Sequence, residues 1–378
     1  MNMAKTTQSP FFVSTWIDLL GAWVNRSPGF WKWLGNVETQ ALADLIAGIR
    51  IEQPIYISGL ARSGSTILLE ILALHDTTAT HAYKDFPPVL TPYFWNWFLD
   101  RAQKRDTVAV ERAHGDGIAV TPDSPEALEE VLWMVFFPHV HDPVHSNVLD
   151  ATTDAPAFAS FYRNHLRKLL WLRGGARYLA KGNYNITRLE YLLQLFPDAR
   201  FVIPVREPVS HIASLRRQHE RFCRIHRDDP RALRYMQRVG HFEFGLDRRA
   251  INTGDTSEAA AIMAAWQQGR DVEGLARLWR NVHQHIVDRL EASPALRDAT
   301  LIVRFEDLCD APESTLRAVL DHCRLPVGDD FVAHAAARLR KPSYYEAAFD
   351  AEALETIAAL TFPVAVRFGY GTANPAAR

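Results

Sequence analysis

A chain of 378 residues with 48% apolar and 23% charged residues is ordinary globular material, long enough for one large α/β domain with insertions or for two domains. Its 42 lysines and arginines nearly balance 44 aspartates and glutamates, so no global field draws it to nucleic acid or to an anionic membrane. Cys223, Cys309 and Cys323 have neither zinc-site spacing nor the even count of a disulfide framework, no basic stretch and apolar core of a leader opens the chain, and no apolar run approaches the ~18 residues of a membrane span. The expectation is an unexported, cytoplasmic protein.

Residues 1–50 read as an N-terminal helical segment. Within it Phe11, Trp16, Leu19, Leu20, Trp23, Phe30, Trp31 and Trp33 make an aromatic-rich amphipathic stretch, suited either to packing on the protein's own core or to peripheral contact with a membrane. Residues 51–370 read as the main domain. Four short apolar runs there, Ile55 to Gly59, Tyr178 to Lys181, Phe201 to Val205 and Leu301 to Phe305, are strands that alternate with helices, which argues for a small parallel sheet. Between the second and third, Ile186, Leu189, Leu192, Leu193 and Phe196 line one face of a crossover helix that Asn185 is placed to cap. After the fourth, Asp310 and Glu313 have capping-box spacing ahead of a helix faced by Leu316, Val319, Leu320 and Cys323. Pro204 lies inside the third strand and predicts a bulge or an early end there. Segments at about 90–175 and 216–298 show helical periodicity and read as large helical insertions around the sheet, and residues 371–378 as a flexible tail.

The first strand runs into GLARSGST at 59–66, the outline of a phosphate-binding loop with Ser65 where an ATPase has its lysine. Gly59 and Gly64 permit a tight turn whose amides converge on an anion at a helix N-terminus, Ser63, Ser65 and Thr66 add hydroxyls, and Arg62 adds a fixed charge. Loss of the lysine, which together with magnesium serves a triphosphate, points to a donor with less charge to neutralise.

In GLARSGSTILLEIL this loop resembles the 5′-phosphosulfate-binding loop of sulfotransferases, with Ala61 where that family usually has proline. The resemblance implies a P-loop NTPase-like α/β fold and a metal-independent transfer from the co-substrate 3′-phosphoadenosine 5′-phosphosulfate, leaving 3′,5′-bisphosphoadenosine. It extends to FPDARFVIPVREPVSHIASL, where Arg206 ends a strand and Ser214 follows about eight residues later, the pair implied to hold the 3′-phosphate. Lys181, at the end of the strand beside the loop, resembles the family's lysine for the bridging oxygen of the donor, although Gly182 and Asn183 replace the customary pair. LIVRFEDL resembles a strand and Glu-Asp-Leu element in which Glu306 and Asp307 buttress the fold, with Arg304 as a partner. Arg340 and Lys341 stand where the family has a late basic loop against the 3′-phosphate.

For the base that takes the acceptor's proton, His75, His81 and Asp85 follow the loop helix, with Glu70 facing away inside it. Asp85, before Pro87 and Pro88, and its rival His81 are the leading candidates, with Lys84 nearby to orient carboxylate or sulfate. Tyr93, Phe94, Trp95, Trp97 and Phe98, then Trp133, Phe136 and Phe137, are core rows or the wall of a cleft for a bulky apolar or glycan acceptor. His139, His141 and His145 alternate like metal ligands but read as loop or acceptor-cleft residues, with no metal called for. Residues 200–249 hold 12 arginines against 6 acidic residues, either a solvated face or a recruiter of anions. The acceptor is a small molecule, lipid or glycan, and neither it nor the oligomeric state is legible. The competing readings are a P-loop kinase or nucleotide hydrolase and a non-catalytic nucleotide-binding relative.

Overall fold

A computed structural model of the chain describes residues 13–102, 109–112, 119–339 and 349–371. Its strands are β1 (Ile55–Ile57), β2 (Thr78–Ala79), β3 (Val110–Glu111), β4 (Ala119–Val120), β5 (Arg177–Lys181), β6 (Arg200–Val205) and β7 (Thr300–Arg304). Five of them form one sheet in the order β2-β5-β1-β6-β7, every neighbouring pair parallel, while β3 and β4 make a separate antiparallel ribbon. The four strands read from the sequence are present within one or two residues of their expected ends. The edge strand β2 is too short to carry a readable pattern.

Both faces of the sheet are covered, which is why its strands are continuous apolar runs rather than alternating ones. On one face Ile55, Ile57, Leu179 and Val202 pack against Leu68, Leu72, Leu316 and Leu320; on the other Tyr56, Tyr178, Phe201 and Ile203 pack against Phe158, Tyr162 and Leu166. The preceding helices are α1 (Thr15–Arg26), α2 (Pro28–Ala41) and α3 (Ala43–Ile46); α4 (Ser65–Leu72) follows β1, and α5 (Pro92–Ala102) opens the first helical insertion. That insertion continues with Glu130–Phe136 and Pro156–Arg173, and the second includes Pro208–Asp228, Pro230–Val239, Thr256–Gln267 and Asp271–Ala292. Among the described residues no helix is long and apolar enough to cross a membrane.

Three local expectations are corrected. β6 continues through Pro204, which pairs in register with Val303, so there is no bulge. In a parallel ladder alternate residues face alternate neighbours: Val202 O accepts from Ser58 N on the β1 side, and Pro204, two residues on, faces the point where the chain leaves the sheet at Gly59. No acceptor there needs the N–H that proline lacks. Asn185 does not cap the crossover helix; it sits in a 3₁₀ turn, Asn183–Thr187, with its side chain under Gly182, and the helix is only Leu189–Leu195. Asp310 is the last residue of a short helix, Phe305–Asp310, so the next helix begins at Pro312 without a side-chain cap.

Buried ion pairs tie the insertions and the N-terminal helices together. Lys168 Nζ donates to Glu38 Oε2 at 2.6 Å and to Gly35 O at 3.1 Å, joining α2 to the Pro156–Arg173 helix. Arg188 grips Glu130 with two bonds, 2.9 and 2.7 Å, and His141 Nε2 lies 2.7 Å from Glu130 Oε1.

Candidate active site

β1 ends and the chain turns through 58–64 into α4 in a loop that leaves little room for side chains. A Cβ on Gly59 would stand 2.9 Å from Pro204 O, and one on Gly64, whose φ is +99°, would stand 2.7 Å from the ring of Phe305. Arg62 also has positive φ, 71°, a conformation that costs a non-glycine residue about 1 kcal/mol or more. It is held there from both ends: its carbonyl accepts from Arg206 Nη1 at 3.3 Å, and its Nε donates to Ser214 Oγ at 3.3 Å. Gly64, as the N-cap of α4, offers no side-chain acceptor, so the first-turn amides of that helix are available to an anion. Ser65 is buried and Thr66 half-buried, its Oγ1 accepting from Arg112 Nη1 at 3.4 Å. Ser63 turns inward. Its hydroxyl donates back to Leu60 O at 2.7 Å and its amide to the same carbonyl at 3.3 Å, so it shapes the loop.

The second half of the site comes from β6 and the helix after it. Glu207 caps that helix by accepting from Val209 N and Ser210 N, and Glu306 accepts from Glu207 N at 3.1 Å and from Tyr370 Oη at 2.7 Å. Glu306 is thus the buttress the sequence suggested, while Arg304 lies over the Tyr370 ring and 3.9 Å from Asp307. Arg206 stacks on Phe305 with its guanidinium carbon 4.6 Å from the ring centre. His211, which sequence reasoning passed over, donates from Nε2 to Ala61 O at 2.8 Å; burial depresses its basicity well below that of an ordinary histidine, so it remains neutral and clamps the loop. Its signal was its spacing, on the same helical side as Ser214 one turn later.

Lys181 pairs in register with Ile57, which brings it beside the loop. It is half-buried and makes no hydrogen bond or ion pair among the described residues. Burial lowers its pKa, Glu126 and Glu243 oppose that, and Arg112 and Arg62 reinforce it, so Lys181 feels all four charges. Glu126 Oε1 accepts from Ala127 N at 2.7 Å, and its carboxylate pairs with Tyr83, whose hydroxyl is pushed up by burial and then by that charge; Tyr235 is pushed up by burial first and by the same carboxylate second. Glu243 accepts from Asn183 Nδ2 at 2.6 Å and lies 3.4 Å from His241; burial would raise its pKa, but those partners leave it lowered. Neither Glu126 nor Glu243 had a motif around it.

The two leading base candidates are buried, although the His81 carbonyl accepts from Glu126 N at 2.9 Å. Asp85 is fully buried, accepting from Arg173 Nη2 at 2.6 Å, Asn96 Nδ2 at 2.8 Å and Ala82 N at 2.9 Å, with His81 Nδ1 at 3.5 Å. Burial alone would raise its pKa, but His81, Arg173 and Asn96 outweigh it and hold the carboxyl well below the usual range. His81 is buried too, stacked on His165 with the two Nε2 atoms 3.2 Å apart. Both side chains are thus engaged in buried contacts, Asp85 by three donors and His81 by His165, while His81 Nδ1, 3.5 Å from Asp85, makes no hydrogen bond. His75 bonds Thr77 and Pro326 at an exposed turn, Glu70 faces Arg338 at 3.6 Å, and Lys84 pairs with Asp123 at 2.6 Å. Trp133 is core, as are Phe136 and Phe137 at its edge, whereas Trp97 and Phe98 are exposed. His141 belongs to the buried Glu130 network, while His139 and His145 flank Asp142 on the surface. Several arginines of 200–249 are neutralised by Asp18, Asp229, Asp247 and Asp271. Arg340 and Lys341 lie outside the described residues.

A family model described as "Sulfotransferase family" matches residues 54–329, which hold the loop, Lys181, Arg206, Ser214 and both insertions. Over 323 residues the chain is 24% identical to the omega-hydroxy-beta-dihydromenaquinone-9 sulfotransferase Stf3 of Mycobacterium bovis, covering 81% of this chain and 70% of that protein. Among solved structures, the sulfotransferase STF9 of Mycobacterium avium aligns with a TM-score of 0.48 at 14% identity over 88% of this chain and 80% of that one. The sulfotransferase STF1 of Mycobacterium tuberculosis aligns with a TM-score of 0.44 at 15% identity, over 94% and 88%.

Proposed function

The chain belongs to the sulfotransferase family, and on that premise we propose that it moves a sulfuryl group from 3′-phosphoadenosine 5′-phosphosulfate to a hydroxyl on an apolar, lipid-like acceptor. The carrying observation is the contact between its two anion-holding elements: Arg62 donates to Ser214 and receives Arg206 on its carbonyl, each at 3.3 Å, across about 150 residues of sequence. Linked in this way, the loop with the N-terminus of α4 receives the 5′-phosphosulfate, and Arg206 with Ser214 receives the 3′-phosphate. A bisphosphorylated adenylate bridges the two, whereas a nucleoside triphosphate would leave the second site empty and would lack the lysine that Ser65 replaces.

The acceptor oxygen attacks sulfur as the bond from sulfur to the bridging oxygen breaks, releasing 3′,5′-bisphosphoadenosine. Lys181 carries the ammonium for the charge that grows on that oxygen, and the transition state is stabilised chiefly by such fixed charges and by positioning. The acceptor's proton goes to Glu126, the carboxylate nearest in effect to Lys181, with Tyr83 orienting it. The lipid-like acceptor is supported by the relative named for a hydroxylated dihydromenaquinone.

The test is incubation of the full chain with the sulfate donor and a panel of hydroxylated prenyl and acyl lipids, phenols and glycans, followed by mass spectrometry for added sulfate. Sulfated lipid, with Glu126→Gln lowering kcat at least tenfold and leaving product binding unchanged, supports the reading. Magnesium-dependent ATP binding with none for 3′,5′-bisphosphoadenosine would sink it in favour of a kinase or hydrolase; bisphosphoadenosine binding with no transfer to any acceptor would favour a non-catalytic relative.

A further inference from the structure

The aromatic N-terminal segment is only half absorbed by the core. Gly21, Val24, Trp31 and Gly35 face inward: a Cβ on Gly21 would meet Arg238 at 3.2 Å and Phe86 at 3.7 Å, and one on Gly35 would stand 2.8 Å from Leu90 O and Phe161. The opposite side is open. Trp16 is 61% exposed, Leu19 64%, Trp23 49%, Phe30 41% and Trp33 58%. Residues 16, 19 and 23 share one face of α1, residues 30 and 33 share one face of α2 with their rings 5.7 Å apart, and ring contacts join the two helices, Trp23 to Phe30 at 5.6 Å and to Trp31 at 4.9 Å. This is one continuous apolar surface on a two-helix hairpin.

Its charge is one-sided. Between Leu19 and Val37 there is no aspartate or glutamate, and the only charged residues are Arg26 and Lys32. The flanking Asp18 is taken up by Arg234 at 2.7 Å and Arg238 at 2.7 Å. A second copy docking through the same patch would set these cations against each other with no acidic residue to meet them. An anionic bilayer offers the complement: tryptophan places its apolar body in the acyl region and its N–H among headgroups, the exposed Arg26 meets the phosphates, and Lys32, whose Nζ stands 5.1 Å over the Phe136 ring, adds its charge from the edge.

Position gives the surface a purpose. Behind the patch, Gly21 touches Phe86 and Arg238, Phe86 packs on Tyr235, and Tyr235 lies in the field of Glu126. Phe86 and Tyr235 thus stand in series behind the exposed face. We infer that the α1–α2 hairpin is a peripheral docking element that seats the enzyme on an anionic lipid surface, from which the acceptor enters. The acceptor's route rests on the proposed function; the docking itself does not.

The experiment is co-sedimentation of the full chain with vesicles of phosphatidylcholine mixed with phosphatidylglycerol, and with vesicles of phosphatidylcholine alone. Binding should favour the anionic vesicles, fall at least tenfold in Arg26→Glu/Lys32→Glu, and fall at least tenfold in Trp16→Ser/Trp23→Ser/Trp33→Ser. Both variants should bind 3′,5′-bisphosphoadenosine as the parent does, which shows that they are folded. Equal binding to both vesicles, unchanged binding by either variant, or a dimer in sedimentation velocity that the tryptophan variant abolishes, would overturn the inference. If vesicles bind but no sulfate is transferred, the functional reading fails and the docking stands; if a dispersed hydroxylated lipid is sulfated while vesicles do not bind, the reverse holds.

Discussion

Asp85→Asn separates a structural carboxylate from a catalytic one. In the parent, one ionised oxygen takes a guanidinium proton from Arg173 at 2.6 Å and an amide proton from Asn96 at 2.8 Å, while the other takes the Ala82 amide at 2.9 Å. Asparagine keeps the size but removes the charge and turns one acceptor into a donor aimed at other donors. Breaking a buried pair costs about 3–5 kcal/mol, and the lower figure applies because Arg173 retains 19% exposure. An unfolding entropy of roughly 2.1 cal/mol/K per residue over 378 residues is about 0.8 kcal/mol/K, so ~3 kcal/mol lowers Tm by about 4 °C. The folded carboxyl has a depressed pKa, so its stabilisation is complete above the unfolded value of about 4 and is lost as pH falls through the folded one. Differential scanning calorimetry of both proteins at pH 7 and at falling pH should therefore show a gap that closes in acid. A variant as stable as the parent at pH 7, yet slowed by orders of magnitude in the transfer step, would refute the structural assignment and restore Asp85 as the base.

Lys181→Ala should lower kcat by about 10²–10³ with little change in product affinity, read by single-turnover sulfation and calorimetry. Burial, together with Arg112 and Arg62, lowers the lysine's pKa, so the parent's activity should decline in alkali before an ordinary lysine titrates near ~10.4; a profile flat to that pH would count against Lys181 as the proton-bearing group. Arg206→Ala should weaken 3′,5′-bisphosphoadenosine by about 10- to 100-fold, the worth of charged hydrogen bonds at 1.5–3 kcal/mol, and leave 5′-AMP almost unaffected; equal losses for both nucleotides would move Arg206 away from the 3′-phosphate. Tyr235→Ala should raise KM for the acceptor several-fold without altering product binding, and a change confined to the nucleotide would place Tyr235 on the donor side.

The donor half of the site was legible because anion binding by backbone demands a local pattern. Gly59 and Gly64 flank a turn where Pro204 and Phe305 leave no space for a Cβ, and that constraint appears in sequence as a strand, a glycine-bounded loop and a helix. Arg206 and Ser214 carry a fixed spacing because both are anchored to one strand-to-helix junction. The sheet was legible for the same reason, as short apolar runs buried on both faces. The inward turn of Ser63 was not legible because a hydroxyl in such a loop can turn either way, and only the position of Leu60 O decides. The burial of Asp85 and His81 was not legible because the groups that engage them, Arg173, Asn96 and His165, lie about 11 to 88 residues away.

The acceptor half follows another logic. Tyr83, Glu126, Lys181, Tyr235 and Glu243 come from five separate segments, and only Lys181 stands on the sheet. The rest belong to loops and helical insertions whose position is set by buried contacts such as Glu130 with Arg188 and His141, not by ladder hydrogen bonds. A strand-end lysine is fixed by the register of β5 with β1, so it is constrained together with the donor loop; the carboxylates facing it are constrained only by helix packing. On the proposed reading, substitutions in the insertions reshape the surroundings of Lys181 while the Arg62, Ser214 and Arg206 contacts persist, whereas any change that moves β6 against β1 disturbs both sets of residues at once. The α1–α2 hairpin, packed on the Pro230–Val239 helix through Asp18 and Gly21, lies on the insertion side of that divide. Its outer face can thus adapt to a lipid surface without a change in how the donor is held.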